Sequence, residues 1–260
     1  MRAETFGRDL WIGWLGVITV LVGWQVIDML GIFDAATVPG PIDVIDLALE
    51  RGPLDDLRTH AYASLRRVII GFTMGAIPAI LLGIATGWYR WLGKILWSPI
   101  ELLRPIPPLA WIPFALIWFG LGENSKIFII LLTAFFPVIT NTYKGMISID
   151  PQLIRAAQTM GLKGLRLLWR VAIPAALPDI AVGMRIGLSL SFGALMAAEI
   201  LAAEEGLGAM IWRARDTGGG VGIIVYGIIL IGALNLTIDY LFNQYVLKRQ
   251  LRWHFSEDAN

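Results

Sequence analysis

The sequence predicts an all-α membrane protein of about six transmembrane helices, on three observations. Hydrophobic residues make up 57% of the 260 and charged residues only 16%, with mean hydropathy +0.68, whereas an ordinary soluble domain carries about 25% charge. The apolar residues fall in long runs rather than short alternations. The 28 glycines suit helices that pack closely in a bilayer. Several classes are excluded at once. With no cysteine there is no disulfide, thiolate metal site or Cys nucleophile. His60 and His254 are too few for an ordinary His-based metal site, and a net charge of +1 leaves no nucleic-acid footprint.

A spanning helix needs roughly 20 mostly apolar residues. Six stretches qualify: Leu10 to about Phe33, Val68–Trp88, about Ile95 to Phe119 with proline interruptions, Lys126–Tyr143, Pro178–Leu201 and Val221–Val246. The first is too long for a signal-peptide core, and no small-residue cleavage site follows it. Orientation comes from Lys/Arg asymmetry. With the N-terminus inside, the inner segments hold Arg2, Arg8, Arg90, Lys94, Lys144, Arg155, Lys163, Arg166, Arg170, Lys248, Arg249 and Arg252. The outer segments hold Arg51, Arg58, Arg66, Arg67, Lys126, Arg213 and Arg215. Both termini are therefore expected on the inner side, with Arg66-Arg67 opposing locally. Residues 34–65 form an outer excursion punctuated by Pro39, Pro41 and Pro53, with a short helix expected near Ile42–Leu49. Residues 144–177 form a basic inner loop.

That loop reads as helix, turn, helix. Asp150 caps a helix whose first position is Pro151. Gly161 and Gly164 break it, and a second basic amphipathic stretch, Leu165–Ile173, is expected to end at Pro174. Such a helix fits two uses: docking into a groove of another protein, or lying on the lipid head groups.

The spacing of this loop resembles the signature of bacterial ABC-importer permeases: Glu-Ala-Ala, three residues, Gly, nine residues, then Ile-x-Leu-Pro. It appears here as Arg155-Ala156-Ala157, Gly161 and Val171-Ala172-Ile173-Pro174, with Arg in place of Glu. Further runs are similar to the nitrate/sulfonate/taurine branch of these permeases: Ser64-Leu65-Arg66-Arg67-Val68, Arg104-Pro105-Ile106-Pro107-Pro108-Leu109, Trp118-Phe119-Gly120-Leu121-Gly122, Phe136-Pro137, and Ala198-Glu199 before Gly206-Leu207-Gly208. The resemblance implies a type I ABC-importer permease fold over residues 1–260 as a single transmembrane domain. It places the chain in the bacterial inner membrane. It implies two copies lining a path, two ATP-binding subunits gripping Ile154, Arg155, Ala156, Ala157, Met160 and Gly161, and a soluble binding protein at the outer face. The cargo it suggests is a small anion, a sulfonate such as taurine, or nitrate or bicarbonate.

Charges inside spans cost roughly 2.5–3.5 kcal/mol each on insertion scales, so those present need a reason. Glu101 and Arg104 share a helix face and precede Pro105-Ile106-Pro107-Pro108, which cannot sustain regular helix bonding. Irregular backbone at membrane depth survives only against protein or a watered cavity. Residues Arg104 to Leu109 are therefore expected on the translocation path or its gate, the alternative being a self-neutralising Glu101–Arg104 pair. Arg185 and Glu199 of the fifth span lie about 21 Å apart along a helix and cannot pair within it. Arg185 has no acid within a helical turn and is expected to serve an anion. Glu199 is either a path residue or a contact to the outer loop. Gly71-x-x-x-Gly75, Gly83-x-x-x-Gly87 and Gly183-x-x-x-Gly187 read as helix-packing stripes.

No phosphate loop is present: Gly87 to Lys94 has one residue too many and is followed by Ile95. No HExxH, Ser/His/Asp arrangement or metal cluster occurs. No cofactor is expected, and any ATP hydrolysis belongs to a partner. The competing function is a secondary transporter or channel, which predicts inverted repeats and midplane carboxylates.

Overall fold

The structure, a computed structural model, describes residues 2–32, 38–50, 54–202, 204–216 and 221–247. Lys248, Arg249 and Arg252 of the charge count lie outside the described residues, as do Phe33, Asp34, Arg51 and Pro53. The described residues contain helices and turns and no strand. In order they are α1 (Arg2–Met29), α2 (Pro41–Glu50), α3 (Leu54–Trp88), α4 (Arg90–Leu103), a 3₁₀ turn Pro108–Trp111, α5 (Ile112–Phe119), α6 (Glu123–Ile147), α7 (Pro151–Thr159), α8 (Gly164–Leu167), a π segment Leu168–Ala172, α9 (Ile173–Ala202), α10 (Leu207–Asp216), α11 (Val221–Phe242) and a second π segment Asn243–Leu247.

Each of the six apolar stretches is helical. Four helical runs are long and apolar enough to cross a membrane: Leu57–Trp88, Glu123–Ile147, Gly164–Leu201 and Val221–Val246. The third stretch is a broken pair, α4 and Pro108–Phe119 meeting at 84°. In α1 the apolar helical part is shorter, Trp14–Met29. Many large apolar side chains stand exposed, such as Ile117, Leu81 and Leu236. Surface of this kind is suited to lipid or to a partner protein.

Two boundaries differ from expectation. The second span extends N-terminally to Leu54, so the end of the 34–65 excursion is helix rather than linker; α2 forms where a short helix was expected. The expected stop at Pro174 is absent. The Ile173 N–H reaches back to the Leu168 carbonyl, a π turn. This wider turn relieves the clash between a proline ring and the carbonyl four residues before it, so the helix runs on through Pro174 and Pro178.

The chain divides into two compact units. The smaller comprises residues 1–58 and 210–230. In it Gln25 of α1 bonds both Asp28 and the Ile42 N–H at the start of α2. The larger comprises residues 59–209 and 231–260 and has α6 at its centre. Glycines of α3 lie against α6: a side chain at Gly71 would strike Ile130, and one at Gly83 would strike Thr142. From the other side Gly183 of α9 meets Asn141. The glycine stripes thus bring backbones close, and Val68, Ile130, Phe192 and Leu195 form a core where α3, α6 and α9 meet.

Candidate functional site

Three polar features stand out in the larger unit. The first is a cavity of about 530 Å³ beside the break between α4 and α5. Arg104, Pro108 and Leu109 contribute from the break, Thr140 and Asn141 from α6, and Leu190 from α9. The proline run forces this shape. Pro105, Pro107 and Pro108 have no N–H to donate, so α4 ends at Leu103 and the chain turns before resuming as helix. Ile106 lies in the turn without lining the cavity. Among the described residues Arg104 makes no ion pair, and the self-neutralising pair with Glu101 does not form.

The second feature is the 150–174 segment. Asp150 accepts the Gln152 N–H at 2.7 Å and Pro151 occupies the first helical position, as the sequence predicts. The helix closes with Gly161 N–H to the Gln158 carbonyl (3.0 Å) and Leu162 N–H to the Ala157 carbonyl (3.1 Å), the Schellman pattern. Gly161 adopts φ +87°, the left-handed region that this closure requires. Ala157 is buried, and Ile154 packs on the core of Met146, Leu168, Ala172 and Ile180. Arg155, Ala156, Met160 and Gly161 are exposed. Exposed Leu153, Met160, Leu165 and Trp169 add an apolar surface to this segment. The six residues expected to dock are therefore divided: two root the helix in its own chain, and four remain free to meet another surface.

The third feature is an ionic cluster, buried except for Glu123 at its edge, whose pairing the sequence did not reveal. Arg67 of α3 donates two bonds to Glu123 at 2.7 Å each, one to Glu199 at 2.6 Å and one to the Glu205 carbonyl at 2.6 Å. Lys126 also bonds Glu123. Ser64 donates to Glu199 while accepting the Leu207 N–H, and Gly208 N–H also reaches Glu199. Two cations and two carboxylates balance. A side chain at Gly206, φ +132°, would collide with the Glu199 carboxylate, so only glycine lets the loop fold over it. His60 Nδ1 accepts the Gly206 N–H. Glu199 does not line the cavity. It is fully buried and accepts the Gly208 N–H. Arg67 and Lys126, counted as outer charges, are buried in ion pairs and are not free surface cations.

Arg185 has no acid within a turn of its own helix, and its guanidinium grips Asp239 of α11 through two bonds, 2.6 and 2.7 Å. It lies off the larger cavity, in a hollow with Ser189 and Asn235. An acid on another helix is invisible to helical spacing. Arg185→Gln is expected to lower the melting temperature of the assembled protein and leave transport per intact molecule unchanged. Lost transport at unchanged melting temperature would return Arg185 to the path.

A helical membrane unit with a broken span, a cavity at the break and a capped surface helix has the architecture of a transport permease. The chain belongs to the family of binding-protein-dependent transport system inner membrane components, whose profile matches residues 79–250. It is 38% identical over 234 residues to a probable ABC transporter permease protein of Brucella melitensis, covering 89% of this chain and 92% of the relative. It is 36% identical over 246 residues to the taurine transport system permease protein of Escherichia coli, covering 92% and 89%. It is also 36% identical over 236 residues to the bicarbonate transport system permease protein of Synechococcus elongatus, covering 86% and 84%. Among solved structures the methionine ABC transporter MetNI in an inward-facing conformation shares the fold, with TM-score 0.62, 19% identity, and coverage of 74% of this chain and 94% of that one.

Proposed function

We propose that this ABC-importer permease carries a small anion, an organic sulfonate of the class that includes taurine. In this reading the chain acts as one permease domain with both termini on the cytoplasmic side. Two copies line the path, two ATPase subunits grip the 150–174 segments, and a soluble binding protein delivers cargo at the outer face. Arg104, Pro105, Ile106, Pro107, Pro108 and Leu109 form the hinge of the path. The observation that carries the reading is the cavity at the proline break, with an unpaired Arg104 on its wall. A cation there lowers the cost of taking a negative charge through a low-dielectric region. The relatives that transport taurine, aliphatic sulfonates and bicarbonate support an anion as cargo. ATP-driven closure of the ATPases rocks the spans between inward- and outward-open states.

The test is reconstitution. The chain should co-purify with an ATPase, and vesicles holding the complex should import a sulfonate when ATP and the binding protein are supplied. In this cysteine-free chain, a cysteine at Leu109 should change its labelling by a water-soluble reagent between ATP-bound and ATP-free states. Equal inaccessibility in both states removes Leu109 from the path.

A further inference from the structure

We infer that the ATPase subunit gripping this chain presents a carboxylate to Arg155, from an apolar groove with an acidic rim. The inference rests on the reading of the 150–174 segment as the ATPase contact and names the chemistry of that contact. α7 uses one side on its own chain: Ile154 packs on the core and Ala157, one turn on, is buried. At 100° per residue, Gln152, Arg155, Ala156 and Thr159 make up the opposite side, and all four are exposed. Arg155 is the only charged residue of α7, and among the described residues it makes no ion pair. Ala156 and Thr159 beside it are short, so a surface meeting this face closes over the guanidinium. A cation covered in that way loses its hydration and needs a carboxylate to replace it. The planar fork of donors suits a carboxylate held through two bonds.

The rest of the segment agrees. Lys163, Arg166 and Arg170 are exposed as well. Asp150 is the only acid between residues 150 and 174, and its side chain caps the Gln152 N–H. Exposed Met160, Leu165 and Trp169 stand among these cations. Apolar anchors ringed by positive charge complement a groove that is apolar inside and acidic at its edge. A lipid surface fits less well. A helix lying in the interface sinks a broad apolar face among the acyl chains, and the apolar side of α7 is already held by its own chain.

The sign of the charge makes the inference specific. Glu stands at this place in the signature that the loop resembles, and here it is Arg155. A groove that suits Glu repels Arg155. Restoring the signature with Arg155→Glu should therefore weaken the attachment.

Mass photometry of the solubilised permease–ATPase complex over a dilution series gives the affinity of the ATPase for the parent and each variant. Arg155→Gln should weaken it about tenfold or more, the size of one bond between charged groups. Arg155→Glu, which sets two carboxylates face to face, should weaken it about 100-fold or more. Arg155→Lys keeps the charge and should lose less than Arg155→Gln. Added salt should loosen the parent more than Arg155→Gln. With the Arg155→Lys complex in phosphatidylserine vesicles, a zero-length carbodiimide should join the new amine to an Asp or Glu of the ATPase, identified by mass spectrometry of the linked peptides. Arg155→Glu binding as tightly as the parent, or more tightly, would overturn the acidic contact. So would linkage to the lipid head group in place of the ATPase. If no ATPase co-purifies with the parent chain, the importer reading itself falls. If one does and its affinity ignores residue 155, only the acidic contact is lost.

Discussion

Arg67→Met is expected to destabilise the assembled complex by about 3–5 kcal/mol, the cost of leaving one partner of a buried ion pair uncompensated. The Arg67 side chain is 5% exposed and that of Glu199 0%, so water cannot reach in to replace the lost charge. The effect should not stop at one contact. Arg67 joins α3 to Glu123 at the start of α6, to Glu199 on α9 and to the 205 carbonyl, so its loss loosens all three. Because the penalty lies in the orphaned carboxylate, Arg67→Met combined with Glu199→Gln should recover a substantial part of it. Thermal unfolding of the solubilised complex, followed by tryptophan fluorescence, measures Arg67→Met, Glu199→Gln and the double variant as a double-mutant cycle. A single-variant loss below about 1 kcal/mol would show the cluster to be energetically idle, and strict additivity in the double variant would show that the penalty does not lie in Glu199.

Gly161→Val should uncouple ATP hydrolysis from import. Space is not the obstacle, since a side chain at Gly161 meets nothing within 4 Å. The obstacle is φ +87°, which costs a β-branched residue on the order of 1–3 kcal/mol. The chain escapes by opening the turn, which releases the 5→2 and 6→1 bonds that end α7 and tilts exposed Met160 out of place. Such a cost lowers the population of the docking-ready form about 5- to 150-fold, and import should fall within that range while the complex stays folded. Gly161→Asn, which tolerates the left-handed region, should retain most coupling. Stimulation of ATP hydrolysis by the binding protein is the readout. Full stimulation in Gly161→Val would remove this turn from the coupling route.

The features legible in the sequence share a short range. The Asp150-Pro151 start and Gly161 stop of α7 are settled by bonds no longer than five residues, so residue identity alone predicts them. The glycine stripes repeat every four residues, one helical turn, and so mark a packing face before any partner is known. Membrane class follows from composition, because a chain with this little charge cannot cover its apolar surface in water. The break at Pro105–Pro108 follows from missing N–H groups.

What tertiary structure decided is long-range or continuous in angle. Arg67 and Glu199 are 132 residues apart and Arg185 and Asp239 are 54 apart. No periodicity links such pairs, and burial rather than identity turns Arg67 from an apparent surface charge into a strut. Prolines announce a break but not its 84°. Pro174 announces a stop that a π turn cancels, because whether a ring clashes depends on the width of the turn before it. The cavity forms where α6 and α9 pass the bend. Arg104 therefore has its neighbours Thr140 and Leu190 by packing, which no local rule encodes.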